Sequence, residues 1–172
     1  MDIPGADYFY ALAQVGITFS GFSALLIAVQ QIRGVSLSGF HKWVARIFVQ
    51  SGMVTTANAM LAPLVFGLGV TEAMTWRITS VVIVISSVIR IWRIPTQWRA
   101  ATKRQMDMRV KVHIWLIMLL NLGLLLNAAG WPFAPSGGLV MFTISWNLFA
   151  FFFQFAESVR FFFDEEVEEM ES

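Results

Sequence analysis

The chain has 172 residues, of which 57% are hydrophobic, 15% aromatic and only 13% charged, and its mean hydropathy is +0.67. Soluble domains carry about 25% charged and roughly 45–50% apolar residues, so this composition excludes an ordinary water-soluble globule and predicts an outer surface that faces lipid. The 12 basic and 11 acidic residues nearly cancel, and there is no cysteine, which removes disulfides, thiolate metal sites and a cysteine nucleophile.

A membrane-crossing helix needs about 20 mostly apolar residues. Five stretches suit this, at 8–32, 45–70, 76–93, 112–131 and 138–163. The separators carry turn chemistry: GVSLSG at 34–39, a short polar break at 71–75, and WPFAPSGG at 131–138, where prolines and paired glycines fit a tight reversal. The third stretch is the shortest and holds a β-branched run, SVVIVISSVI. An isolated strand in lipid leaves its backbone unpaired, so a helix is expected there too. The leading residues MDIPGAD are acidic rather than basic, which predicts a retained span and not a cleaved leader.

Basic residues set the expected orientation. None precedes the first span. The first loop region has Arg33, Lys42 and Arg46, the second only Arg77, and the third Arg90, Arg93, Arg99, Lys103, Arg104, Arg109 and Lys111. An external N-terminus with an odd number of spans satisfies every loop. The expected fold is therefore an all-α bundle of five transmembrane helices over 1–163 in the cell membrane, with the N-terminus outside. A basic cytoplasmic loop is expected at 94–111 and a solvated acidic cytoplasmic tail at 164–172. Trp43, Trp76, Trp92, Trp98, Trp115 and Trp131 fall near span ends, where indoles prefer to sit, whereas Trp146 lies inside the fifth span.

Polar groups within spans need partners and mark function. On the fifth span Thr143, Asn147, Ala150, Gln154, Glu157 and Arg160 recur at helical spacing, forming one stripe. Ser51, Thr55 and Asn58 form a second stripe on the second span, with Arg46 and Gln50 one turn nearer the cytoplasm, and Thr79, Ser86 and Arg90 align on the third. On the first, Gly16, Ser20, Ala24 and Ala28 suit close helix packing. Counting from the span ends puts Ser20, Asn58, Asn121 and Asn147 near the midplane. The asparagines fit either interhelical hydrogen bonds or a hydrated path. Glu157 is the one carboxylate within a span, and Arg46, Arg90 and Arg160 lie at matching depth. This group reads as an ion pair, a gating site, or an anion or lipid-phosphate cluster. The basic loop predicts contact with an anionic leaflet.

No phosphate-binding loop, metal-ligand pairing or nucleophile elbow is present. No lysine lies within a span to carry a retinal, and no aspartate pair to cut peptides in the membrane. The expectation is a non-enzyme without metal or cofactor and without a nucleic-acid partner: a small homo-oligomeric ion channel or pore, with Asn147, Gln154 and Glu157 nearest the conduction path and Asn58, Thr55 and Asn121 as further polar candidates. The alternative is a non-conducting scaffold or lipid-binding accessory subunit that uses the same stripe as an oligomer interface.

Overall fold

The computed structural model describes residues 2–32, 39–102 and 108–171, with side chains described except at 26, 27, 30, 31, 39–44, 94–102, 109, 110, 154 and 157–171. Among the described residues the protein is all-helical, with five helices and no strand: α1 (Ala6–Ile32), α2 (Gly39–Gly67), α3 (Glu72–Thr102), α4 (Met108–Ala129) and α5 (Gly137–Glu171). The five expected stretches map one to one onto these helices, including the β-branched run of α3. Two helical segments, Glu72–Arg93 and Lys111–Ala129, are long and apolar enough to cross a membrane, and Gly137–Phe153 is a shorter apolar one. Length and composition therefore support membrane association more narrowly than five spans.

The boundaries differ from the expectation most at three places. α2 starts at Gly39, and α3 runs on to Thr102 through most of the segment read as the start of a loop. α5 continues to Glu171 through the acidic tail. Polarity marks the last two segments as non-spanning, but Glu, Gln, Arg and Ala are good helix formers, so an existing helix propagates through them.

α1 and α2 form an antiparallel hairpin with the most extensive contact in the bundle, α3 and α4 form a second, and α5 touches the other four helices. The α1–α2 crossing rests on small residues. A Cβ on Gly16 would sit 2.7 Å from Thr56 Oγ1, and one on Gly52 would sit 2.7 Å from the Gly16 carbonyl oxygen and closer still to Ser20 Oγ. That approach lets Thr56 Oγ1 reach across to the Ala13 carbonyl at 3.2 Å while also bonding the Gly52 carbonyl at 2.9 Å, and lets Ser20 Oγ donate to the Val49 carbonyl at 3.1 Å. Close packing is thus the role of Gly16 and Ser20. The stripe then drifts to Ser23, leaving Ala24 and Ala28 exposed, because a 3.6-residue period does not hold a spacing of four.

The main core joins Ile3, Phe9, Ala59, Ala62, Trp76, Ile83, Leu124, Val140, Ile144 and Leu148. Trp76 was expected in an interfacial belt but is only 1% exposed. It stacks on Phe9 with centroids 5.9 Å apart, lies so close to Gly137 that an added Cβ would meet its ring at 2.7 Å, and donates its indole N–H to Glu72 Oε1 at 3.1 Å. Trp92, Trp115 and Trp131 are exposed as expected, and Trp146 is half-buried; the side chains of Trp43 and Trp98 lie outside the described residues.

The turn after α4 is built by Gly130 and Asn127. Gly130 adopts a left-handed φ of 75°, and the Trp131 amide returns to the Leu126 carbonyl at 3.2 Å, a glycine-terminated helix end. Asn127 brackets Ser136, donating to its carbonyl at 3.1 Å and accepting its N–H at 3.0 Å. Its amide also donates to Ser80 Oγ at 3.0 Å, tying the turn to α3.

Candidate functional site

The inward face of α3 is mostly hydroxylic. Thr75, Thr79, Ser80 and Ser87 are buried, Ser86 is half-buried, and the row ends at a half-buried Arg90. These positions recur at helical spacing around Trp76 and Ile83, but the β-branched run that dominates this stretch hides them in the sequence. Only Thr79, Ser86 and Arg90 were legible there as a stripe.

Hydrogen bonds fix the level of each neighbour against α3. Asn121 of α4 donates to Ser87 Oγ at 2.9 Å, and Asn58 of α2 lies 3.5 Å from Ser86 Oγ, at the outer limit of a bond. α5 runs parallel to α3, with Gly137 against Trp76 and Phe151 beneath the Arg90 guanidinium, 6.0 Å from ring centroid to Cζ. As many residues separate Gly137 from Phe151 as separate Trp76 from Arg90, so the register holds along both helices and sets Asn147 level with Ser86. A second route agrees. Tyr8 of α1 donates its phenol proton to Ser145 Oγ at 2.7 Å, since that serine's own proton goes to the Met141 carbonyl, also at 2.7 Å. The α1–α2 contacts then carry the level of Asn147 to that of Asn58.

Asn58, Ser86, Ser87, Asn121 and Asn147 therefore form one polar layer contributed by four helices. It is a layer of neutral amides and hydroxyls, about ten residues or roughly 15 Å along α3 from Trp76 at a 1.5 Å rise. Asn147 is 6% exposed and Asn121 7%. Each spends its amide N–H, Asn147 on the Thr143 carbonyl at 2.8 Å, while its Oδ1 is buried without a partner among the described residues. Thr75 Oγ1, Thr79 Oγ1, Trp146 Nε1 and Arg90 Nε are likewise buried and unpartnered. Such groups accept or donate to water or to a small polar guest.

The other predicted residues are distributed as follows. Thr55 is buried on α2, one turn from Asn58 and on the same face. Arg46 is exposed on α2. The side chains of Gln154, Glu157 and Arg160 lie outside the described residues, so the expected pairing of Glu157 with Arg46, Arg90 or Arg160 does too. On α5, Thr143, Asn147 and Ala150 all turn into the bundle of a single chain. Nothing in the layer offers a nucleophile activated by a base, and among the described residues no cluster of His, Asp or Glu could hold a metal ion. The chain matches no known protein family, no curated protein and no solved structure.

Proposed function

We propose that the protein is a five-span integral membrane protein of the cell membrane, and that it passes a small polar or charged species through the interior of its own bundle. The observation that carries this reading is the inversion of polarity. Outward positions on all five helices hold Ile17, Leu25, Met53, Leu64, Ile85, Val88, Leu119, Leu122, Phe149 and Phe153, whereas Ser51, Thr55, Asn58, Thr79, Ser87, Asn121, Thr143 and Asn147 are buried. Water-soluble bundles have the opposite pattern, and polar groups kept inside a membrane bundle mark pathways. The inward turn of α5 moves the path from an axis between copies to the interior of one chain, so a homo-oligomer would hold one path per subunit. Gln154 and Glu157, farther along the same helix, are proposed as its cytoplasmic mouth.

The competing reading is a non-conducting scaffold, favoured by the direct bonds of Asn121 to Ser87 and Asn127 to Ser80, which are interhelical ties in their own right. Purified protein in liposomes, assayed for ion and proton flux, separates the two. The pore reading expects flux that falls to background in Asn58→Ala and Asn147→Ala proteins that still assemble. Absent flux, or flux unchanged in both variants, overturns it in favour of the scaffold.

A further inference from the structure

The inner end of the bundle, where α3 ends and α4 begins, carries the basic residues Arg90, His113 and Lys111. The antiparallel register that sets Asn127 beside Ser80 and Asn121 beside Ser87 brings Trp115 of α4 level with Trp92 of α3. Both indoles are exposed, at 70% and 82%. Arg90 stands two residues before Trp92, about 3 Å toward the bundle centre at the helical rise. Its guanidinium is half-buried over the Phe151 ring, and its Nε–H is buried with no acceptor among the described residues. By the same register a half-buried His113 on α4 lies about one turn beyond the level of Arg90, and an exposed Lys111 stands two residues before it, about half a turn round α4.

We propose that Arg90 and His113 form a binding site for a phosphate oxyanion between α3 and α4. The guanidinium offers Nε–H and Nη–H as a planar fork that matches two phosphate oxygens, and the ring N–H of His113 supplies a further donor from the facing helix. Exposed indoles at a shared level sit where lipid headgroups do, which puts a phospholipid phosphate at the depth of the guanidinium. Cation–π contact with Phe151 holds the guanidinium in place, with its buried Nε–H still lacking an acceptor among the described residues. This site rests on the membrane reading above but not on conduction.

The test uses the full chain purified in a neutral detergent and stripped of lipid. Thermal unfolding is followed with added phosphatidylglycerol, with phosphatidylcholine, and with inorganic phosphate, for the native protein and for Arg90→Gln, Arg90→Lys and Arg77→Gln. Phosphatidylglycerol is expected to raise the midpoint of the native protein by several degrees more than phosphatidylcholine does. That difference should vanish in Arg90→Gln, shrink in Arg90→Lys, which keeps the charge but loses the fork, and persist in Arg77→Gln at the other end. A comparable rise with inorganic phosphate alone assigns the site to the free anion rather than the headgroup. Equal shifts with both lipids and none with phosphate overturn the proposal, as does a lipid preference undiminished in both Arg90 variants. If Arg90→Gln does not fold, Arg90→Lys and the lipid comparison on the native protein still decide it. Resistance of the membrane-bound chain to alkaline extraction is measured alongside. A resistant protein without anion preference refutes the site alone, whereas an extracted protein refutes the membrane reading and the site with it.

Discussion

At Gly52 and Gly21 two glycines in the same helical hairpin meet opposite surroundings. A Cβ at Gly52 would meet the Gly16 backbone and Ser20, whereas one at Gly21 has nothing within 4 Å. Ala is the better helix former by about 0.8–1.0 kcal/mol, so Gly21→Ala should be neutral to stabilising. Gly52→Ala must instead push α1 and α2 apart and weaken the Thr56 and Ser20 bonds. Overpacking of this kind costs roughly 1–3 kcal/mol, and thermal unfolding in detergent should show the two substitutions moving the midpoint in opposite directions. Trp76 makes a complementary case. Truncating a buried tryptophan to alanine costs roughly 3–5 kcal/mol, so Trp76→Ala should lower the midpoint far more than Trp115→Ala, whose ring is exposed. That contrast was not legible in the sequence, where both tryptophans fall near span ends. What separates them is the glycine at 137, which admits the Trp76 ring, and the carboxylate at 72, which satisfies its N–H.

Among the elements, the helices were legible because apolar runs and Gly/Pro punctuation agree on them, and the inward face of α3 was not. Valine and isoleucine fill most of 81–89, so the stretch reads as uniformly apolar. The alternation of Ser86 and Ser87 inward with Ile85 and Val88 outward emerges only once α2 and α4 pack against it. Asn127 shows how one side chain can define the junction of three elements, since it bonds Ser80 on α3 and both backbone groups of Ser136 ahead of α5. Asn127→Ala releases the exposed Ser136 groups to water and takes the donor from the buried Ser80 hydroxyl, where an unsatisfied group costs roughly 1–3 kcal/mol. Hydrogen exchange should accelerate at the Ser136 amide and in the first turn of α5, while the α1–α2 hairpin stays as protected as before. Equal loosening of both hairpins would mean that Asn127 acts on global stability and not on the turn.

For the whole molecule, the sequence placed Asn58, Asn121 and Asn147 at one depth by counting alone. It could not choose their partners, because depth is set by position along a helix while partnership is set by rotation about it. The same counting yields a side of the membrane for every connection, and the lack of any cysteine makes it testable. With five spans and an external N-terminus, Asp2, Leu68 and Phe133 face outward and Ser36 and Gln105 face the cytoplasm. Each position is replaced singly by cysteine and exposed, in intact cells, to a maleimide that cannot cross the bilayer. Asp2→Cys, Leu68→Cys and Phe133→Cys should label at once, and Ser36→Cys and Gln105→Cys only after detergent is added. The reversed pattern would invert the orientation and with it the assignment of the Arg90 end to the cytoplasmic leaflet. Labelling of all five without detergent would mean that no bilayer separates the two ends, and the apolar outer faces of α1, α2 and α5 would then have to be covered by protein instead of lipid. The third possibility is informative about a single helix: Asp2 and Leu68 on one side with Ser36 inaccessible, but Phe133 on the other, would remove α3 or α4 from the spanning set. Since those are, among the described residues, the two helices whose length and apolarity alone suffice to cross, that outcome is the least expected of the three.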